Sequence, residues 1–226
     1  MKPYVKNRRT GVVQKAETRR LTEADLSEVL RVQKNSVGSL SDESVYVESD
    51  RSDFLNILSH GEMHGLFVGG ELCGVASFLL PLDAELARDI GIEDDLLCRA
   101  FVLDSCFVAA DYQNNGIARE LIRICQKRAT EKYDALYLLA TVSPKNIPSI
   151  LAFMSINGFR VRALKQKYGC KLRYILCCEY HSKKLYTVYE RLEITDVFGI
   201  SMRLSEGYDG IATFTSEKKI YIWLAK

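Results

Sequence analysis

Residues 104–129 read DSCFVAADYQNNGIARELIRICQKRA, and the handover inside this stretch decides the class of fold. The apolar run from Arg99 to Val108 has the length of a buried strand and stops at the polar turn Gln113-Asn114-Asn115-Gly116. From Gly116 the period becomes helical, with Ile117, Leu121, Ile124 and Cys125 on one face. No proline and no acidic residue lies between Gln113 and Ala118. A second apolar run follows, DALYLLATV at 134–142. Strand, helix and strand in this order form a crossover unit. It makes strands 99–108 and 135–142 parallel, with helix 116–133 packed on one face.

Working outward, the chain alternates helices and hairpins. Thr22 and Asp25 have the spacing of a capping box and predict a helix over 23–35, with Leu26, Val29, Leu30 and Gln33 as its inner stripe. SDRSDFLNILSHGE predicts a second helix whose apolar face is Phe54, Leu55 and Leu58. HGLFVGGELCGVASFLLP is a hairpin around Gly69-Gly70, and RVRALKQKYGCKLRYILCCEY is another turning near Gly169. Residues 82–98 read as an insertion with a short helix and an acidic loop containing Asp89, Glu93, Asp94 and Asp95. SPKNIPSILAFMSINGF is a loop and short helix. Beyond His181 the pattern predicts three or four short antiparallel strands with turns at Gly207, Asp209-Gly210 and 216–219, and Trp223 and the tyrosines as their small core. The division is a loose extension over 1–16, a main body over 17–180 and a β subdomain over 181–226.

Composition narrows the function by exclusion. A net charge of +2 leaves no basic footprint for nucleic acid; KNRR, KAETRR and HSKK read as solvated surface. No apolar run approaches the ~18 residues of a membrane span, and no signal-peptide core follows the basic start. Seven cysteines without a CxxC or a His/Cys ligand spacing argue against a metal site and for buried, reduced thiols in a cytoplasmic protein.

The helix opening at Gly116 has two readings. Asn115 caps the first free amides, or the anion of a ligand does. Exposed amides at the positive end of a helix form a phosphate site, and Gly116 lets phosphate approach without a Cβ in the way. No GxxxxGK[ST] or strand-following GxGxxG competes for this role.

FVAADYQNNGIA resembles the Q/R-x-x-G-x-G/A signature of the GNAT superfamily of N-acetyltransferases, and TVSPKNIPSILAFMSINGF resembles that family's later segment, in which an Asn opens a helix ending near Gly-Phe. The order of elements from Glu17 to Tyr180 matches too. The resemblance implies a mixed α/β fold: a central, mostly antiparallel sheet with a splayed parallel pair, flanked by helices, here with a C-terminal antiparallel extension. It implies acetyl-CoA as co-substrate and no metal. Its pantetheine would pair with Cys106, Phe107 and Val108. Its pyrophosphate would sit on amides of the turn Gln113, Asn114, Asn115, Gly116, Ile117 and Ala118, with Arg119, and Asn146 would contact the pantetheine arm. An amide near Val108 would stabilise the oxyanion. Ala118 stands where the signature often has a second Gly. Met154 stands where the family often has a Tyr that protonates the leaving thiolate, and Met has no proton to give.

Attack requires a neutral amine, hence a base. Asp104 shares a strand face with Cys106 and Val108 by the period of two and is our candidate, with an ion pair to a nearby Arg such as Arg99 as the alternative. Cys106 reads as a core thiol, Tyr112 as packing, and His60 and His64 as loop or surface residues. The sequence therefore predicts an N-acetyltransferase acting directly on a primary amine of a small molecule or peptide. The alternative is a catalytically silent acyl-CoA-binding module whose C-terminal β tail serves assembly or partner contact. The tail covers the acceptor cleft, extends the sheet or makes a homodimer.

Overall fold

The computed structural model describes residues 4–81, 84–181 and 184–226. Parts of the 1–16 extension, the 82–98 insertion and the HSKK segment lie outside them. The chain forms two compact units, Met1–Leu80 with Val102–Tyr133, and Pro81–Phe101 with Asp134–Lys226.

In the first unit, β1 (Tyr4–Lys6) and β2 (Val13–Arg20) make a hairpin at the sheet edge, with Tyr4 opposite Lys15. Residues 4–16 are thus an ordered edge. β2 pairs with β3 (Gly61–Val68), β3 with β4 (Glu71–Leu79) and β4 with β5 (Ala100–Val108), all antiparallel. Thr22 and Asp25 form the expected capping box, the Thr22 amide donating to Asp25 Oδ2 at 2.9 Å, before α1 (Leu26–Val37). Val32 joins Leu26, Val29 and Gln33 in the buried stripe, while Leu30 is only half-buried. In α2 (Arg51–His60) the buried residues are Phe54 and Ile57, not Leu55 and Leu58. In both helices the buried apolar residues follow steps of three, Leu26, Val29 and Val32 in α1 and Phe54 and Ile57 in α2. The chain enters α4 (Ile117–Tyr133) at Ile117. α4 packs on β4 and β3, and Phe78 meets Tyr133 edge-on at 5.8 Å. On β5, Phe107 meets Tyr46 at 6.3 Å and Phe54 of α2 at 6.1 Å.

His64 corrects the sequence reading. It lies inside β3, buried, with Nε2 3.0 Å from Glu62 Oε2. Glu62 and His64 are two apart on one strand, so they share a face, and the pair satisfies what each alone could not bury.

In the second unit, α3 (Glu85–Arg88) lies in the insertion, and its Glu85, with Asp89, binds the buried Lys167. The strands run in the order β6 (Tyr137–Val142), β8 (Lys171–Glu179), β7 (Phe159–Lys167), β10 (Asp209–Ser216), β11 (Lys219–Ala225) and β9 (Tyr189–Glu193), all antiparallel. α5 (Ile147–Met154) starts at Asn146. The tail extends the sheet, but one predicted strand is a helix, α6 (Val197–Ser205). Asp196 caps it by accepting from Gly199 N at 2.9 Å, and Ile200 and Leu204 are its buried i, i+4 pair. Asp209-Gly210 begins β10 rather than a turn, because Gly210 sits where a Cβ would stand 2.7 Å from Ile222 Cδ1. Ile222 and Leu224 form the buried face; Trp223, 36% exposed, stacks instead on Phe214 at 5.5 Å on the outer face.

Among the described residues no helix is long and apolar enough to cross a membrane, and no group of three His, Cys, Asp or Glu could hold a metal. None of the seven cysteines is bridged.

Candidate functional site

The register of β4 and β5 fixes which backbone groups of β5 are turned outward. Gly74 faces Val108 and Ala76 faces Cys106. Ala109 N donates to Cys73 O at 2.8 Å, so that pair is hydrogen-bonded and the alternation makes Val108 and Cys106 non-bonded positions. Their N–H and C=O groups are therefore directed away from β4. Phe107, opposite Val75, has its main chain turned toward β4 and its ring in the core.

The turn after β5 is held from several sides within its own unit. Asn35 of α1 accepts from Ala110 N at 2.8 Å. Gln113 Nε2 donates to Val108 O at 3.2 Å and to Ser39 Oγ at 3.1 Å. Asn114 and Gly116 take left-handed φ values of 63° and 78°. Among the described residues a Cβ on Gly116 would meet only Arg119 Nη2 at 3.7 Å, which leaves the approach to the backbone open among them.

Asn115 was the residue able to cap α4. Its Oδ1 accepts instead from Lys6 N at 3.3 Å, and its Nδ2 donates to Lys6 O and Tyr112 O, both at 2.9 Å. Its side chain is turned to the N-terminal hairpin and its own turn. The first-turn amides of α4 precede the first intrahelical bond, Glu120 N to Gly116 O at 3.1 Å. Ile117 is buried, Ala118 half-buried and Arg119 exposed at this end.

Asp104 stands at a β-bulge. Ser77 faces Ser105 and Phe78 faces Leu103, leaving Asp104 as the extra residue of β5. Its side chain reaches water, yet close protein atoms strip hydration from it. That desolvation raises its carboxyl, against a hydrogen bond from Ser105 Oγ at 2.9 Å, while the charge of Asp53 raises it further. Among the described residues Asp104 forms no ion pair. Arg99 binds Asp134 instead, at 2.6 Å.

Two neighbours of Asp104 carry no sequence motif. Ser105 is the donor just named, and Tyr46 donates its OH to Gln33 Oε1 at 3.2 Å, its phenol raised chiefly by burial. Tyr46 lies in the segment LSDESVYVESD, where only a lone aromatic among acidic residues could have marked it. Burial raises the Cys106 thiol to about 12, so it is no nucleophile near neutral pH. Tyr112 is buried, with its OH 3.4 Å from Glu71 Oε2. In the other unit, Asn146 Oδ1 accepts from Ser149 N at 3.2 Å as the cap of α5, and Met154 is buried near that helix's end.

The family model described as the acetyltransferase (GNAT) family matches residues 31–159. No curated protein matches the chain. Among solved structures, yncA from Salmonella typhimurium, determined with its cofactor acetyl-CoA, gives a TM-score of 0.57 at 17% identity, over 76% of this chain and 98% of its own. The ribosomal-protein-alanine N-acetyltransferase from Brucella melitensis gives 0.54 at 21% identity, over 72% and 99%. PaiA N-acetyltransferase from Thermoplasma acidophilum, in complex with coenzyme A, gives 0.51 at 20% identity, over 73% and 99%. Likeness at these identities carries the mixed α/β fold and nothing finer.

Proposed function

The chain belongs to the GNAT family of acetyltransferases, and from that membership we propose that it moves an acetyl group from acetyl-CoA directly to a primary amine. The observation that carries this reading is Asn115: the side chain that could close the start of α4 points elsewhere, and the turn is open above Gly116. In this reading the amides of the turn from Gln113 to Ala118, with Arg119, hold the diphosphate. The outward backbone groups of Cys106 pair with the pantetheine arm as a neighbouring strand would, the Val108 carbonyl being held by Gln113. Asn146 lies in the other unit, where its side-chain oxygen is the cap of α5.

The Val108 amide donates to the thioester oxygen and stabilises the charge that grows there as the amine attacks. A carbon–nitrogen bond forms, the carbon–sulfur bond breaks, and the sulfur departs with the bonding pair. Asp104 receives the ammonium proton, directly or through one water, and its raised carboxyl makes it a better base than an ordinary aspartate. Met154 has no proton to give, so water protonates the thiolate. Acetyl-CoA titrated into the protein, followed by coenzyme A release over a panel of primary amines, tests the reading. Turnover on a panel member supports it; binding without turnover on any amine points to a silent acyl-CoA module, and no binding removes both.

A further inference from the structure

β9 ends its sheet: among the described residues it pairs with β11 and with no other strand. Ile194 N donates to Ile220 O at 2.9 Å, and Val188 and Lys226 exchange two main-chain hydrogen bonds, both at 3.0 Å. By the antiparallel alternation, residues 188, 190, 192 and 194 turn their main chain toward β11, and Tyr189, Arg191 and Glu193 turn theirs outward. That outward row is a template for another strand, and no proline interrupts it. Glu193 O also accepts from Asp196 N at 2.9 Å, and a carbonyl with two lone pairs takes a second donor. The side chains of the outward three share a face with Tyr221 and Trp223, Glu193 standing opposite Tyr221 and Arg191 opposite Trp223. Arg191 forms no ion pair among the described residues, and its guanidinium lies 5.5 Å from the Tyr221 ring centre. Val188 and Tyr189 are exposed, and Leu192 is half-buried.

We propose that the free edge of β9 pairs with β9 of a second copy of this chain, antiparallel, about a two-fold axis through Leu192. The charge pattern selects that register. In an isologous contact each residue meets the one placed symmetrically across the axis. An axis at Arg191 sets Arg191 against Arg191, and an axis at Glu190 sets Glu190 against Glu190. An axis at Leu192 sets Arg191 of each copy against Glu193 of the other. Those are outward-turned residues, so both pairs fall at hydrogen-bonded positions, and Leu192 meets Leu192 at the closer, non-bonded position between them. Opposite charges directly across a ladder attract and like charges repel. Lys219 holds Glu193 at 3.1 Å, so each Glu193 then lies between two cations. Tyr189 falls opposite Thr195 and extends the contact at both ends. β9 has five residues, so the interface is small and the dimer weak. The inference is independent of the acetyltransferase reading, and β9 lies beyond the family-matched segment.

Sedimentation equilibrium of the full chain from about 1 μM to about 1 mM spans the range in which so small an interface associates. The mass rises with concentration from that of one chain toward that of two. Arg191→Glu places like charges across both pairs and raises the Kd of the dimer at least about tenfold, and Glu193→Arg does the same. Arg191→Glu combined with Glu193→Arg restores opposite charges in this register and brings the Kd back to within about threefold of the unaltered chain. Both positions are on the sheet edge, and melting curves confirm that the variants are folded. A chain that keeps the mass of one copy at the highest concentration overturns the proposal. So does a dimer that both single variants leave intact, or a folded double variant that associates no better than the singles.

Discussion

Replacing Glu62 by Gln probes what holds the helix on which the proposed phosphate site depends. Glu62 is wholly buried in β3. Its carboxylate accepts from Arg128 Nε at 3.1 Å and Nη2 at 3.2 Å, Lys132 Nζ at 2.7 Å, Tyr133 OH at 3.0 Å and His64 Nε2 at 3.0 Å. Burial alone would raise this carboxyl; the hydrogen bonds from Arg128, Lys132, His64 and Tyr133 outweigh it and hold the group well below the usual range. An amide keeps the shape but loses the charge and turns an NH₂ toward cationic donors. Removing one member of a buried pair costs about 3–5 kcal/mol. Arg128 and Lys132 are 39% and 41% exposed and regain water, so the low end, about 3 kcal/mol, is the expected loss. In a chain of 226 residues that is a fall in Tm of about 6–12 °C.

The pH dependence has a definite sign. His64 is lowered, chiefly by burial, so its contribution is present above the unfolded value of about 6.5 and is lost as pH falls through it. Glu62 is lowered too, so its contribution is complete above the unfolded carboxylate value of about 4.3 and drains away below it. The wild type therefore softens on acidification, and Glu62→Gln flattens the lower part of that curve. Urea melts followed by circular dichroism at about pH 7.5 and about pH 4 measure both effects. A midpoint that does not move at neutral pH would refute the reasoning, because it would mean the five hydrogen bonds contribute nothing net.

Further outcomes concern the chemistry. Asp104→Asn lowers kcat by about a hundredfold or more while coenzyme A affinity is retained; in the wild type the acid limb of kcat/KM lies above the ordinary carboxylate range, and in the variant it disappears. Turnover unchanged in Asp104→Asn removes the base assignment. Gly116→Ala places a side chain on a residue at φ 78°, which strains the turn by about 1–2 kcal/mol and crowds the phosphate approach, so coenzyme A binds at least about tenfold more weakly. Equal affinity would show that no phosphate sits there.

The strand-to-helix handover in 104–129 was legible because three separate signals agree there: the end of an apolar run, a glycine turn and a new helical period. The capping box at Thr22 and Asp25 was legible for the same reason, being written in local spacing. What escaped was written in pairs distant in sequence. Glu62 gives no hint that Arg128 and Lys132 will reach it across 66 and 70 positions, so His64 beside it read as a loop residue. Asn115 read as a cap because its competitor, Lys6, lies 109 positions away. α6 was hidden by Gly199 and by valine and isoleucine, whose strand preference masks a period carried by only Ile200 and Leu204. The bulge that sets Asp104 apart depends on the partner strand and leaves no trace in β5 itself.

These distant pairs have one joint consequence for function. α4 is gripped near its C-terminal end by Glu62 through Arg128, Lys132 and Tyr133, while its entry turn is gripped by Asn35 and by the hairpin through Asn115. An anion site made of backbone amides needs its donors already in place, since ordering them on binding subtracts from affinity. Side chains that would ordinarily cap the helix are instead employed in fixing the turn's position, so rigidity and openness come from the same residue. Loosening either grip should therefore weaken coenzyme A without touching a residue that contacts it. Asn115→Ala tests this at the turn: hydrogen exchange quickens over residues 4–15, and affinity falls about three- to tenfold through the dissociation rate. If exchange quickens while affinity stays put, the site does not depend on the hairpin's hold, and the turn must be rigid by its own backbone conformation.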